Sequence, residues 1–141
     1  MTTTRILEDV KIDVKLKIAA LWATMMLLFA YVDIFGYFKP GFIQGIIAGT
    51  PGMGVQIDQG FLLFSMIYVT IPSLMVFLSM VLKPQISRWA HIVLATVYAA
   101  SIVFFCLGET WVFYIFGSIL EIVCLLMIVW YAWKWPRQEQ P

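Results

Sequence analysis

Four long apolar stretches dominate the sequence, at 18–38, 60–82, 89–108 and 110–133. A helix needs about 20 apolar residues in succession to cross the roughly 30 Å hydrocarbon core of a bilayer, and each stretch reaches that length. A transmembrane β-barrel would instead alternate apolar and polar residues, which the run 120–133, apolar except for Glu121, does not do. The sequence therefore predicts an all-α bundle of four transmembrane helices.

Composition excludes the main soluble classes of protein. The chain is 62% hydrophobic and 12% charged, whereas a typical soluble domain is about 45–50% apolar and about 25% charged. A chain of 141 residues could not bury that much apolar surface, because a domain of this size buries only about two-thirds of its surface on folding. A net charge of +1 also provides no field to attract nucleic acid. We therefore expect a single membrane domain over 1–141 whose main partners are membrane lipids.

The distribution of lysine and arginine predicts the orientation of the bundle. Of the nine basic residues, eight flank the apolar stretches at the end that holds both termini, and only Lys39 lies in the first loop, 39–59. Because cytoplasmic loops are enriched in these residues, both termini are predicted to be cytoplasmic and the first loop to be on the outer side. An interfacial aromatic belt is expected at the cytoplasmic end, formed by Trp22, Trp89, Trp130, Trp133 and Trp135.

The first loop is expected to contain a short amphipathic helix. Its apolar residues recur at helical spacing, at Phe42, Ile43, Ile46 and Ile47. A proline precedes this pattern and a glycine follows it, which is the usual punctuation of a helix. Its role is either an interfacial anchor or a lid over an outward cavity.

Two carboxylates lie inside the predicted membrane helices, Asp33 and Glu121. Ionisable groups inside a bilayer are costly, and they frequently mark a functional site. Glu121 lies near the middle of the fourth stretch, and Asp33 lies roughly 7–8 Å outward of the middle of the first. Insertion does not require a partner for Glu121, because the apolar residues of its helix contribute about 4–7 kcal/mol against a cost of about 3 kcal/mol.

Polar features of the second and third stretches lie at the depth of Glu121. Pro72 interrupts the second stretch and frees the carbonyl of Tyr68, so that segment 68–73 could offer carbonyl and hydroxyl ligands. Sequence fixes the depth of these groups but not the rotation of their helices. If their faces converge, they form a small polar cavity whose ligand- or proton-binding candidates are Glu121, Asp33, Tyr98, Tyr68 and Ser73.

Charged residues near the outer helix ends form a secondary set of candidates: Lys39, Asp58 and Glu109. The functional interpretation puts Asp33 at the mouth of a cavity with Glu121 at its floor, as a proton- or cation-binding pair. The structural alternative pairs Asp33 with Lys39 or lets it reach water among the lipid headgroups.

The remaining reactive side chains point to neither a metal nor a cofactor. His91 is the sole histidine and is expected at the interface, bonded to headgroups or loop carbonyls. Cys106 and Cys124 lie at depths too different for a disulfide, which requires Cα atoms within about 7 Å. The sequence also contains no glycine-rich phosphate loop and no zinc-type spacing. We therefore predict no metal site and no cofactor.

Three functions stay open. The leading hypothesis is binding or translocation of a small ligand or a proton by Asp33 and Glu121. Four helices are few for alternating access, so a transport role would favour a homo-oligomer. The alternatives are an intramembrane enzyme that uses the two carboxylates as acid and base on a lipid-like substrate, and a non-catalytic accessory subunit. Whether the protein is an enzyme is left undecided by the sequence, which contains no nucleophile–base set.

Nearly the whole chain resembles a bacterial family of small four-helix membrane proteins whose function is unknown. The resemblance lies in segments 7–17 (LEDVKIDVKLK), 20–22 (ALW), 31–35 (YVDIF), 39–41 (KPG), 60–62 (GFL), 71–72 (IP), 108–109 (GE), Glu121 and 131–137 (YAWKWPR). It implies a bacterial inner-membrane location and brings no known activity. In helix count and size the chain is also similar to DoxX-like proteins, a likeness of architecture alone.

Overall fold

The computed structural model describes residues 6–52 and 54–137, and these contain helices and irregular segments but no strand. The helices are α1 (Val14–Gly36), α2 (Phe42–Ile47), α3 (Gln59–Val81), α4 (Pro84–Cys106) and α5 (Val112–Trp133). All except α2 are long and apolar enough to cross a membrane. The predicted all-α class, its four long helices and the short helix in the first loop are confirmed.

Three of the long helices begin earlier than the apolar stretches predict, because polar residues and proline supply their first turns. The carboxylate of Asp13 accepts a hydrogen bond from the backbone N–H of Lys15 at 2.8 Å and caps α1. Asp58 caps α3 in the same way, accepting from the N–H of Phe61 at 2.7 Å. α4 begins at Pro84, where the fixed backbone angle of proline suits the first helical position. Because these first turns contain polar residues or proline, the apolar stretches alone place the start of each helix too late in the sequence.

The long helices do not pack with equal closeness. α5 lies against both α1 and α4, whereas α3 packs mainly on α1 and touches α4 less. The most tightly packed part of the core lies in the half of the bundle that contains the termini, and its largest fully buried side chains include Ile18, Trp22, Met25, Leu125 and Ile128. Fewer buried side chains lie in the opposite half of the bundle.

A glycine sets the distance between α1 and α5. Gly117 is buried, and a Cβ atom at this position would overlap Cγ2 of Val32 on the facing helix. Small residues allow such close backbone approach between membrane helices. The contact places Asp33, the neighbour of Val32, beside α5.

Basic side chains close the helix ends near the termini. The ammonium group of Lys15 donates to the carbonyl of Leu82 at 2.8 Å, just past the end of α3. The guanidinium of Arg88 donates to the carbonyl of Ala132 at 3.1 Å and lies 5.6 Å from the ring centroids of both Trp89 and Trp133. Cations are favourable at helix C-termini, where the helix dipole is negative.

The predicted aromatic belt is wrong for one of its members. Trp89, Trp130 and Trp133 are exposed on the bundle, as belt residues are. Trp22 is instead fully buried, with its ring edge-on to that of Tyr98 at 6.4 Å between centroids. Depth along a helix does not determine which way a tryptophan faces.

Candidate functional site

Asp33 and Glu121 line one cavity of about 160 Å³ between α1, α4 and α5. The wall is completed by aromatic, aliphatic and hydroxyl side chains: Phe29, Val32, Ile102, Phe105, Tyr114 and Ser118. The two intramembrane carboxylates therefore line a common space.

The short helix α2 contributes no residue to this lining, and it exposes Ile43 and Ile47. This position suits an interfacial anchor better than a lid.

The two carboxylates differ in exposure. The side chain of Glu121 is buried, with 2% of its surface accessible, whereas Asp33 is exposed on the bundle. Within residues 6–52 and 54–137, the Oε1 atom of Glu121 is buried and has no hydrogen-bond partner. Glu121 therefore lies at the inner end of the cavity and Asp33 at its edge.

The local sequence of α5 explains how this wall forms. Tyr114, Ser118 and Glu121 follow one another at helical spacing of four and three residues, so that their side chains share one face. Gly117, on the neighbouring part of the same face, admits Val32 of α1. The residue that follows Val32 is Asp33, so the same close approach brings the second carboxylate to the cavity.

Tyr68 and Tyr98 form a separate hydrogen-bonded cluster between α3 and α4. The hydroxyl of Tyr98 donates to the carbonyl of Tyr68 at 2.6 Å, and the hydroxyls of Tyr68 and Ser101 are 2.6 Å apart. Pro72 has no N–H to bond this carbonyl, so Tyr98 takes the place of the missing donor. The carbonyl of Tyr68, predicted to be free for a ligand, therefore already accepts a hydrogen bond. Neither tyrosine lines the cavity of Asp33 and Glu121.

Ser73 and Asp58 lie away from the cavity and have local structural roles. Ser73 is exposed, and its hydroxyl donates to the carbonyl of Val69 at 2.7 Å within α3. Asp58 is exposed and caps the first turn of the same helix. Depth alone placed Ser73 with the carboxylates, but its face of α3 points elsewhere.

Lys39 forms an ion pair with Glu109. The alternative in which Lys39 pairs with Asp33 is therefore wrong. The ammonium group of Lys39 is 2.8 Å from Oε2 of Glu109, and both side chains are mostly buried. The other oxygen of Glu109 accepts hydrogen bonds from the N–H groups of Thr110 at 2.9 Å and Trp111 at 3.0 Å. Burial raises the pKa of Glu109, but the hydrogen bonds from Lys39 and from these N–H groups outweigh it, and the pKa lies below its ordinary value.

A buried polar group at the other end of the bundle was missed by sequence reasoning. His91 is fully buried, and its Nδ1 atom accepts a hydrogen bond from the indole of Trp22 at 3.0 Å. The predicted interfacial position of His91 is wrong, because α4 starts at Pro84 and carries His91 into the bundle. A signal existed: Ser87, His91 and Ala95 recur every four residues on one face.

Comparison with known proteins gives one family. The chain matches the family of unknown function DUF6326 over residues 5–140. It belongs to this family. The predicted resemblance to a family of unknown function is thereby confirmed, and the structure adds the four membrane-length helices. Neither the curated proteins nor the solved structures give a match, so the likeness to DoxX-like proteins finds no support.

In this DUF6326 protein, the lining of the cavity is partly polar. It offers two carboxyl groups, the hydroxyl of Ser118 and the ring of Tyr114. The part of the chain that the structure describes contains no cluster of three or more His, Cys, Asp or Glu side chains suited to a metal ion.

Proposed function

We propose that the protein is a multi-pass protein of a bacterial inner membrane, with both termini in the cytoplasm, that binds or translocates protons or a small cation through the cavity of Asp33 and Glu121. The observation that supports this proposal is a single cavity lined by both carboxylates. The membership in DUF6326 brings no activity of its own, so the proposal depends on this geometry.

The charges at the two ends of the bundle support the orientation. The end that holds the termini carries Lys15 and Arg88, which bond carbonyls at helix ends. It also carries Lys17 and Lys134, whose ammonium groups lie over aromatic rings. The opposite end carries Lys39 with the acids Asp58 and Glu109. Basic residues accumulate on the cytoplasmic side of membrane proteins, which favours cytoplasmic termini.

The size of the cavity favours a proton or a small cation over a lipid-like substrate. Pockets for drug-sized ligands measure about 300–1,000 Å³, and this one measures about 160 Å³. A water molecule occupies roughly 30 Å³ in the liquid, so the cavity has room for a few waters. Water between the two carboxyl groups would supply a path for proton exchange.

The isolation of Glu121 supports the same function. A buried carboxylate is costly unless it is paired or hydrogen-bonded, and its Oε1 atom has no partner within the described residues. A proton or small cation that entered the cavity would compensate this charge.

For translocation we propose that copies of the chain assemble, because four helices are few for an alternating-access transporter.

Proton flux into liposomes tests the proposal. The full-length protein is reconstituted, a pH gradient is imposed, and an enclosed pH-sensitive dye reports the flux. We expect Glu121→Gln to abolish the protein-dependent flux and Asp33→Asn to reduce it. Asp58→Ser is the matched control, since it removes a carboxylate outside the cavity and keeps a side chain that caps α3. Infrared titration of the carboxyl band then reports whether Glu121 exchanges its proton.

Unchanged results in the cavity variants would contradict the proposal. If Glu121→Gln leaves both the infrared titration and the flux at wild-type levels, the cavity has no role in proton exchange. A flux that Asp58→Ser reduces as much as Glu121→Gln would point to a general loss of fold instead.

A further inference from the structure

The ammonium group of Lys39 lies in a cage of aromatic rings at the end of the bundle opposite the termini. It is 5.6 Å from the ring centroid of Trp111, 5.6 Å from that of Phe113 and 5.2 Å from that of Tyr114. The carboxylate of Glu109 approaches the same ammonium to 2.8 Å. A cation is thus surrounded by three π faces and one negative charge.

This arrangement is the one by which proteins recognise quaternary ammonium groups. Aromatic rings attract a cation within about 6 Å through their quadrupole, and such cages bind choline and methylated lysine. Lys39 is a less suitable occupant, because a lysine ammonium is compact and strongly hydrated. An alkylated ammonium keeps the charge for Glu109 and presents apolar surface to the rings.

A second cavity adjoins the cage and gives a ligand room to enter. It measures about 380 Å³ and is lined by Phe35, Phe38, Lys39, Trp111 and Phe113. This volume lies within the range of about 300–1,000 Å³ typical of small-molecule pockets. Lys39, Trp111 and Phe113 belong to both the cage and this cavity, so a cation in the cavity can reach the position that the lysine occupies.

We propose that Glu109, Trp111, Phe113 and Tyr114 form a binding site for an organic cation of the trimethylammonium type, with Lys39 as its intramolecular occupant. The cation displaces the Lys39 ammonium from the cage into water. This shared chemistry is offered both by a free organic cation and by the headgroup of a choline lipid.

The site goes beyond the proposed function and is independent of it. The cage shares Tyr114 with the cavity of Asp33 and Glu121 and has its own carboxylate, Glu109. Glu121→Gln therefore removes the proton-exchanging group and leaves the cage intact. A lack of proton flux would therefore contradict the proposed function and leave the cage untouched, and a lack of cation binding would contradict only the cage.

Chemical labelling of the wild-type protein tests the displacement without any substitution. The protein, in a maltoside detergent free of choline, is treated with a water-soluble amine-acylating reagent, and mass spectrometry measures the modification rate of Lys39. We expect tetramethylammonium to raise this rate, because displacement exposes the amine. Lys134, which lies 4.7 Å from the ring of Trp130 at the other end, is the matched control and keeps its rate.

The proposal is overturned if tetramethylammonium leaves the rate at Lys39 unchanged. It is equally overturned if neopentyl alcohol, a neutral molecule of similar shape, raises the rate as much. In that case the rings respond to apolar solute and not to charge.

Direct binding of tetramethylammonium to variants tests the occupant. Lys39→Met removes the competing cation from the cage, and we expect this variant to bind the probe about tenfold more tightly. In the wild type the Lys39 ammonium fills the site most of the time, and the apparent affinity falls in proportion to the fraction of molecules whose site is free. In the double variant Lys39→Met, Glu109→Gln, we expect this gain in affinity to be lost. Lys134→Met should match the wild type, and equal affinity in Lys39→Met and wild type would contradict the proposal.

Lipid nanodiscs identify the source of the cation. If phosphatidylcholine discs raise the labelling of Lys39 above its level in phosphatidylglycerol discs, the headgroup occupies the cage. If only added tetramethylammonium raises it, the ligand is a free cation. Either result supports the site, and no rise under either condition overturns it.

Discussion

The indole N–H of Trp22 donates a hydrogen bond to Nδ1 of His91 across 3.0 Å, and both side chains are fully buried. This bond joins α1 to α4 and fixes the tautomer of the imidazole, because an accepting Nδ1 leaves the hydrogen on Nε2. Within residues 6–52 and 54–137, the Nε2 atom has no hydrogen-bond partner. The pair therefore links two helices in the half of the bundle that packs most tightly.

Trp22→Phe should destabilise the fold by about 1–3 kcal/mol, because it leaves a buried acceptor without its donor. Replacing both partners by apolar residues removes this penalty, so the double variant Trp22→Phe, His91→Leu should lose less than the sum of the two single changes. Unfolding of the purified protein in mixed detergent micelles measures each free energy. Strictly additive losses would show that the hydrogen bond contributes nothing.

Gly117→Ala should also destabilise the bundle, by about 1–3 kcal/mol, because a Cβ at this position overlaps Val32 and overpacks the contact of α1 with α5. Val32→Ala in the same chain should recover most of the loss by making room. Gly36→Ala is the control, since a Cβ there meets nothing within 4 Å. Thermal unfolding compares the variants, and equal melting of the Gly117 and Gly36 variants would contradict the prediction.

The pair of Lys39 and Glu109 should make stability depend on pH in the acid range. Hydrogen bonds hold the pKa of Glu109 below its ordinary value of 4.5 even though burial raises it. A lowered pKa in the folded state means that its contribution is complete above pH 4.5 and is lost as the pH falls through the folded-state pKa. The contribution should be about 0.2–1 kcal/mol, as for other ion pairs near a surface.

Comparison of wild type with Glu109→Gln checks this sign. The difference in unfolding free energy between them should be largest above pH 4.5 and should shrink on acidification. A difference that grows as the pH falls would contradict the assigned direction.

Much of the fold follows from local energetics and was predictable. Transfer free energies depend on residue type and depth, so the membrane helices and the two carboxylates within them could be identified from sequence. The freed carbonyl of Tyr68 was equally predictable, because the absence of an N–H at Pro72 is a property of one residue.

The rotation and pairing of helices were not predictable in this way. Nothing local distinguishes Ser73, which bonds within its own helix, from a residue that faces the cavity. The burial of Trp22 and His91 depends on where α4 begins and on how it faces α1. These are properties of two helices together, and a single sequence specifies them only through weak patterns of spacing.

Tyr98→Phe should destabilise the contact of α3 with α4, because the carbonyl of Tyr68 then loses the hydroxyl that bonds it at 2.6 Å. An unpaired carbonyl in this setting costs about 1–3 kcal/mol. Pro72→Ala supplies an N–H that can bond this carbonyl within α3, so it should rescue the Tyr98→Phe variant. Unfolding free energies of the single and double variants test the cycle. If Pro72→Ala destabilises the wild type and the Tyr98→Phe variant equally, the proline is not the reason that the carbonyl of Tyr68 bonds the hydroxyl of Tyr98.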